Sequence, residues 1–540
     1  MELIYLLPIL LALLILLPPL YNLLLHPLRS FPGPLLHRIS PIPYALLLPT
    51  GRAPQEIHRL HELYGPVVRI APNHLSFTDP RAWRDVYGLH SPHLPASTSL
   101  SFHGSGTATT SIGEKEKGAS GERIENPKAP IWYRSLLSDA DGHDFLNAPA
   151  EKHTKMRKAL AVGFADRALK AQEGRIQYWV DVFIRRLGEK VSVGGGVDGG
   201  GGEGEGVVVD MVRWMNWVVL DIMGELVFAE PFGCLEGERE PFFVEMFGEM
   251  LRPGVVLVGM QYVGFKWLVP WVLRWVGGRR ALVAMKGELE RRLRGRIAKG
   301  EVVDDVLEGV LGRRDEWGMS MPELAGTAHI VITAASETTP TALSGAVNLL
   351  LRNPDKMEKL KHEIRSTFSS AEEITMLAVS KLPYLLACIQ ESLRMFPPAT
   401  HGMVREAAGG GAIVAGHYVP EKTLIECQIY SMNHSSAHWS EPFSFKPERF
   451  LHRLGEGEKP ADGKGDNFDA FRPFQHGTRD CIGRNLAHAE MRLILARLLF
   501  HFDIAPQEVG GEDWAEKQKA YFLRAKTPLN VMVRPAVRSG

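Results

Sequence analysis

The first 25 positions break with everything that follows. From Leu3 to Leu25 run 23 residues without a charge, most of them leucine or isoleucine. As one helix they would span roughly 34 Å, enough for a bilayer core of about 30 Å. Pro8, Pro18 and Pro19 interrupt the run, which membrane helices tolerate. No basic stretch precedes it and no small-residue cleavage site follows, so the pattern predicts a retained anchor and not a cleaved signal. Arg29 and Arg38 lie just after the run and only Glu2 before it, which puts the main body on the cytosolic side. Residues 1–28 are therefore expected as the anchor, 29–50 as a proline-rich linker and the start of the body, and 51–540 as one catalytic domain. Phe31-Pro32-Gly33-Pro34 cannot continue a helix and is expected as a stiff spacer.

Beyond the linker the period is mostly helical. Apolar residues recur at three- and four-residue spacing over Val207–Phe228, Ala281–Ile297, Pro322–Leu351, Pro354–Phe368, Tyr384–Met395 and Ile482–Phe502. Strand-like runs are shorter: Val67–Ile70, His74–Phe77, Ala412–Val414, Leu424–Gln428 and Leu529–Val533. A mainly α (α+β) chain is expected, because so few and scattered strands do not support a doubly wound sheet. Ser97 to Lys128, and the nearly all Gly, Val and acidic stretch Gly194 to Gly206, bury too little apolar surface to offset their ordering entropy and are expected as mobile loops. No internal repeat and no nucleotide-binding glycine pattern occurs.

Composition changes this picture only by exclusion. Lys and Arg total 62 against 62 for Asp and Glu, so no global field attracts nucleic acid. The four cysteines, Cys234, Cys388, Cys427 and Cys481, are far apart and form no CxxC pair. That excludes a disulfide scaffold and a zinc ribbon, and it fits a reducing compartment.

One cysteine has unusual company. Phe474-Gln475-His476-Gly477-Thr478-Arg479-Asp480-Cys481-Ile482-Gly483 leads directly into a helical pattern. A cysteine where a helix begins has free N–H groups and the positive dipole end beside it, and both favour thiolate. Glycines at 477 and 483 would let a flat ligand approach the backbone, and Arg479 could meet an anionic group on it. Alone, such a cysteine reads as a small buried hydrophobe. The pattern resembles the haem-binding loop of the cytochrome P-450 family, F-x-x-G-x-R-x-C-x-G, at Phe474, Gly477, Arg479, Cys481 and Gly483.

That resemblance extends upstream. Glu391-Ser392-Leu393-Arg394 is similar to the family's E-x-x-R, and Pro447-Glu448-Arg449-Phe450 to its P-E-R-F. The resemblance implies a buried structural network of Glu391, Arg394 and Arg449 supporting the haem loop. Ala334-Ala335-Ser336-Glu337-Thr338-Thr339 resembles A-G-x-[DE]-T-[TS], which implies proton delivery to bound dioxygen by Glu337 and Thr338. Two departures stand here. Ala335 replaces the usual glycine, and Pro340 leaves the Ser336 carbonyl without its helical donor, which predicts a kinked, locally opened helix. His153 and Arg157, four apart, resemble W-x-x-x-R with histidine for tryptophan, and with Arg405 they are implied to face haem propionates. The run DIMGELVFAEPFG, Asp221–Gly233, is also similar to fungal members.

The resemblance covers roughly residues 30 to 535 and implies a cytochrome P-450 fold holding haem b with Cys481 as axial thiolate. It further implies insertion of one oxygen atom into a lipophilic substrate (a terpenoid, polyketide or alkaloid intermediate) at the endoplasmic reticulum membrane. Electrons would come from an NADPH-cytochrome P-450 reductase, with cytochrome b5 as a second donor. Arg472, Arg479 and Arg484 are candidate docking residues for that acidic partner. Two alternatives stay open: a haem isomerase or dehydratase that consumes no dioxygen, and a non-catalytic haem sensor.

Overall fold

In a computed structural model the described residues are 16–89, 124–136, 144–194, 206–275, 278–300, 305–451, 465–507 and 513–537. Most of the expected anchor, and most of the 97–128 and 194–206 segments, lie outside them. Residues 16–24 are helical, with Leu16, Leu20 and Leu24 exposed. Among the described residues no helix is long and apolar enough to cross a membrane. The expected spacer is seated on the body, the Pro32 carbonyl accepting from the Arg69 N–H at 2.7 Å, and Leu28, the last residue of the expected anchor, is itself buried in a core cluster of the body.

Ten helices of twelve residues or more are found among the described residues: α1 Ala53–Tyr64, α2 Ala150–Gly163, α3 Asp166–Gly194, α4 Met211–Phe228, α5 Phe242–Tyr262, α6 Gly278–Ala298, α7 Met321–Arg352, α8 Pro354–Thr367, α9 Pro383–Met395 and α10 Arg484–His501. The strands are β1 Val67–Ala71, β2 His74–Phe77, β3 Val207–Asp210, β4 Arg405–Glu406, β5 Ala412–Val414, β6 His417–Val419, β7 Leu424–Cys427, β8 Phe502–Pro506, β9 Lys519–Tyr521, β10 Leu523–Ala525 and β11 Asn530–Pro535. They form a four-stranded sheet in the order β1-β2-β7-β4, a three-stranded sheet β3-β11-β8, and the hairpins β5-β6 and β9-β10. The protein is thus mainly helical with small sheets.

The helix expected over Val207–Phe228 begins later. Val207, Val208 and Val209 are β-branched and pair antiparallel with β11, a stretched conformation that suits them. Asp210 then ends the strand and caps α4, its carboxylate accepting from the Val212 N–H at 3.1 Å.

Helix α7 is the central element, packing on α4, α6, α9 and α10. A capping box starts it, with the Ser320 N–H donating to Glu323 at 2.9 Å. From Thr339 to Leu350 every residue is buried, as expected of a helix apolar nearly all round. Burial of each large side chain there, such as Leu343, Val347 or Leu350, contributes roughly 1.5–3 kcal/mol. The helix continues without a break through Pro340, so any opening is confined to the Ser336 carbonyl that proline cannot serve.

Candidate active site

The loop that carries Cys481 is built by local geometry. The Cys481 N–H donates to the Phe474 carbonyl at 2.9 Å and the Gln475 N–H to the Arg472 carbonyl at 3.0 Å, closing the loop before α10 begins. Gly477 adopts φ +88°, and a Cβ there would lie 1.9 Å from the Tyr87 carbonyl oxygen. Its glycine is thus required by the protein itself, where the loop presses on the backbone after Trp83. Gly483 differs. A Cβ on it would meet only the Phe164 ring at 3.8 Å and Cys481 Sγ at 4.0 Å, so the space beside it is open to a flat group.

Cys481 is the exposed cysteine, whereas Cys234, Cys388 and Cys427 are buried. Dense surroundings nonetheless raise its thiol above the ordinary value, although the Gly483 N–H and the cations Arg484 and Arg157 oppose the rise. A side chain both accessible and desolvated faces an internal space. Burial thus works against the dipole effect expected from sequence, and a metal cation bound at sulfur would favour the thiolate.

A second accessible patch lies on α7. Ala334 is exposed, and Thr333, Ala335 and Thr338 are partly so, within a helix buried on both sides of them. Thr338 donates its hydroxyl proton to the Ala334 carbonyl at 2.8 Å. Helices α7 and α10 pack on each other, and the Thr339 hydroxyl bonds Glu490 of α10. The accessible thiol and the accessible α7 stripe thus belong to neighbouring elements. Glu337 is buried, with Oε2 3.1 Å from the Lys526 ammonium.

Cations gather around this region. Burial and then Arg479, Lys128 and Arg157 push the His153 imidazole down to about 3, and its ring stacks on Phe145 at 4.7 Å. Burial, Arg479 and Arg405 lower Lys128 well below its ordinary value. Arg479 is held by Glu125, Nη2 to Oε1 at 2.6 Å, and Arg157 donates to the Asp480 carbonyl at 2.8 Å and pairs with its carboxylate. These contacts hold the two residues just before Cys481. Within this cluster Arg405 is left with buried, unpartnered donors, Nε and Nη1, while lying over the Tyr87 ring. A buried surplus of positive charge with free guanidinium N–H groups fits an anionic group such as a haem propionate. The remaining sequence-named residue, Phe474, packs its ring on His488 at 4.8 Å.

Glu391, Arg394 and Arg449 come together. Arg394 donates twice to Glu391, both at 2.8 Å, and Arg449 Nε donates to it at 3.1 Å. Arg394 also donates to the carbonyls of Asn433 and Pro442, each at 2.7 Å. Asp466 and Trp439, which no motif names, complete the cluster. Asp466 pairs with Arg449, and the Trp439 ring lies under both guanidinium groups. Trp439 also packs on Phe468 and Phe471, which links the network to the chain entering the Cys481 loop. Of the candidate docking arginines, Arg472 is paired with Asp469 and Arg484 with Asp480.

Sequence reasoning also passed over Glu426 on β7. It is fully buried, its oxygens make no well-formed hydrogen bond, with only the Gly402 N–H near enough to favour the charged form, and His74 Nε2 lies 3.8 Å away. Desolvation, only partly offset by the Gly402 N–H, raises its carboxyl to about 8. The folded value exceeds the unfolded one, so its contribution to stability is full below about pH 4.5 and is lost as pH rises toward 8. Glu490, also raised to about 8 by burial, acts in the same sense. The buried histidines, His74 pushed down to about 3 and His401 to about 4, act only below pH 6.5. Between about pH 6.5 and 8, Tm is therefore expected to fall, and Glu426→Gln to flatten the fall. The limiting slope for one such group is about 1.4 kcal/mol per pH unit. Thermal unfolding across that window checks this, and an unchanged slope in the variant would count against it.

The cytochrome P-450 family profile matches residues 118–533. A cytochrome P-450 monooxygenase of Talaromyces stipitatus is 37% identical over 96% of this chain and 92% of its own length. The averantin hydroxylase of Dothistroma septosporum is 34% identical over 95% of this chain and 88% of its own. The trichothecene C-15 hydroxylase of Fusarium sporotrichioides is 35% identical over 95% and 94%. The loop geometry, the buried Glu-Arg-Arg cluster and these matches agree: the chain belongs to the cytochrome P-450 family and is a monooxygenase of that family.

Proposed function

We propose that the chain inserts one atom of dioxygen into a lipophilic secondary-metabolite intermediate of terpenoid, polyketide or alkaloid class. Electrons would pass from NADPH through a separate reductase, with cytochrome b5 as an auxiliary donor. Residues 1–28 would anchor the protein in the endoplasmic reticulum membrane with its body in the cytosol. The observation that carries the reaction is the accessible stripe on α7, which presents Thr338 beside Glu337 on an otherwise buried helix. Similarity to fungal proteins named for hydroxylating averantin and a trichothecene supports the substrate class. The uncharged run 3–25 and the exposed leucines of 16–25 support the anchor.

Each residue then has a task. Cys481 would hold the haem iron through Sγ, and Arg405, with the cations around His153 and Lys128, would hold its propionates. When bound, the haem supplies dioxygen binding and activation, which a thiolate ligand favours. The Thr338 hydroxyl already donates to Ala334, so its lone pairs are free to accept a hydrogen bond from water on the open side. Glu337 is the buried acid next along the helix and would take up a proton and pass it on.

The test is reconstitution of the full chain in membranes with NADPH and a reductase, presenting candidate intermediates and isotopically labelled dioxygen. Product carrying one labelled oxygen atom, with NADPH consumed, is expected. Substrate conversion without dioxygen or NADPH uptake would overturn the reading in favour of isomerisation or dehydration.

A further inference from the structure

Glu337 does not stand alone in the protein. Its neighbour Lys526 lies just past β10, at the far end of the sequence. The ammonium is nearly buried and shared: Nζ lies 3.1 Å from Glu337 Oε2 and donates to Asn216 Oδ1 of α4 at 2.9 Å. Asn216 in turn donates from Nδ2 to Glu240 Oε1 at 2.9 Å. A line of contacts from three separate parts of the chain thus ends on the carboxylate of α7. We propose that Lys526 is a positioning residue for oxygen chemistry, holding the Glu337 carboxylate in its charged form and fixed direction, with Asn216 fixing Lys526.

This rests on the reading of Glu337 as the proton-holding group. The charged groups that face Glu337 are Lys526, from beyond β10, and Glu240, from the segment before α5. From α10 the nearest carboxyl, Glu490, is engaged with Thr339. Burial raises the Glu337 carboxyl above its ordinary range, Lys526 opposes that rise, and Glu240 adds to it. Losing Lys526 leaves burial and Glu240 acting together on the carboxyl. A packing role alone would cost stability without moving a titration. A positioning role moves the pH at which the acid changes state, because an opposite charge this close is worth about 1–3 pH units.

The experiment uses the haem-loaded full chain with NADPH and its reductase, without added substrate. The quantity read is peroxide released per NADPH oxidised, as a function of pH. Peroxide release needs two protons per dioxygen and complete reduction to water needs four, so the ratio reports proton supply. Thermal unfolding of the same proteins provides a second readout. Lys526→Gln is expected to move the inflection upward by about 1–3 pH units, and Lys526→Arg to restore it. Glu337→Gln should abolish the inflection and make Lys526→Gln silent. In a double-mutant cycle on Tm the two changes should be non-additive. If Lys526→Gln fails to take up haem, Asn216→Leu serves in its place, with a smaller shift in the same direction. Loss of the inflection in Glu337→Gln with a wild-type profile in Lys526→Gln would overturn the proposal and leave the Glu337 reading intact. A wild-type profile in Glu337→Gln would overturn that reading, and this proposal with it.

Discussion

Glu391→Ala is expected to yield little folded, haem-loaded protein. Glu391 and Arg394 are wholly buried and Arg449 nearly so. The Glu391 carboxylate accepts two hydrogen bonds from Arg394, one from Arg449 and one from the Lys446 N–H at 2.9 Å. Truncating it leaves the buried Arg394 guanidinium without a carboxylate and Arg449 with Asp466 alone, a change that costs about 3–5 kcal/mol. Whole domains have only about 5–15 kcal/mol in hand. Glu391→Gln keeps the shape and one acceptor but leaves a net buried positive charge, so an intermediate loss is expected. Arg394→Lys is expected to fail almost as badly as Glu391→Ala. Arg394 spreads its donors over Glu391 and the carbonyls of Asn433, Pro442 and Ser444, which a single ammonium cannot reach together. Because Trp439 joins this cluster to Phe471 before the Cys481 loop, haem uptake should fall along with Tm. Thermal unfolding and the absorbance of the reduced carbon-monoxide complex measure both. An unchanged Tm in Glu391→Ala would refute the account.

Some of this was legible in the sequence, for identifiable reasons. The helices α7 and α9 follow from apolar residues at helical spacing, and their ends carry Pro322, Pro383 and Ser320 as local signals. The sequence similarity at Asp221 also has a physical ground. Its carboxylate accepts from the Cys234 and Leu235 N–H groups at 3.0 and 2.9 Å, closing the turn after α4. The strand Val207–Asp210 was missed because its partner β11 lies more than 300 positions away. Helix α3 was passed over although Leu169, Ile176, Val180, Phe183 and Leu187 keep its period and are buried. That signal was present and unread.

The site divides along the same line. Residues inside short motifs, such as Cys481 with Gly477 or Glu391 with Arg394, were found because their chemistry is concentrated within ten positions. Their partners were not: Glu125 against Arg479, Asp466 against Arg449, and Lys526 against Glu337. A contact between distant segments leaves no periodicity behind, so neither partner announces the other. Arg157 is a further case: the resemblance implies that it faces a propionate, and the structure adds a contact to the carbonyl of Asp480, beside the cysteine, that no motif names. Only Arg405 keeps buried donors without partners, Nε and Nη1, among the arginines assigned to propionates.

Cys481→Ala is expected to remove the thiolate signature of the reduced carbon-monoxide complex and to abolish oxygenation. The other three cysteines are buried, and burial lifts the Cys234, Cys388 and Cys427 thiols, so none of them offers an accessible thiolate. Cys481 is also raised by desolvation, but it is accessible and the residue before it is held in place. The Phe474 carbonyl holds its N–H, Arg157 and Arg484 hold Asp480 before it, and Gly483 leaves the next approach open. The protein supplies position, and a metal cation must supply ionisation, since a coordinating thiol gives up its proton. Metal affinity at Cys481 should therefore fall as pH falls, because metal and proton compete for the same sulfur. Changes to groups that merely orient a metal ligand cost roughly 10–100-fold in affinity or activity; loss of the ligand should exceed that. Arg157→Ala is expected within that smaller range, with the thiolate signature retained but haem more readily lost. Cys427→Ala, at a wholly buried site remote from the loop in sequence, should keep the signature whatever it does to Tm. Each variant is read by the reduced carbon-monoxide spectrum and by haem retained per chain. A thiolate signature surviving in Cys481→Ala would place the ligand elsewhere and undo the assignment.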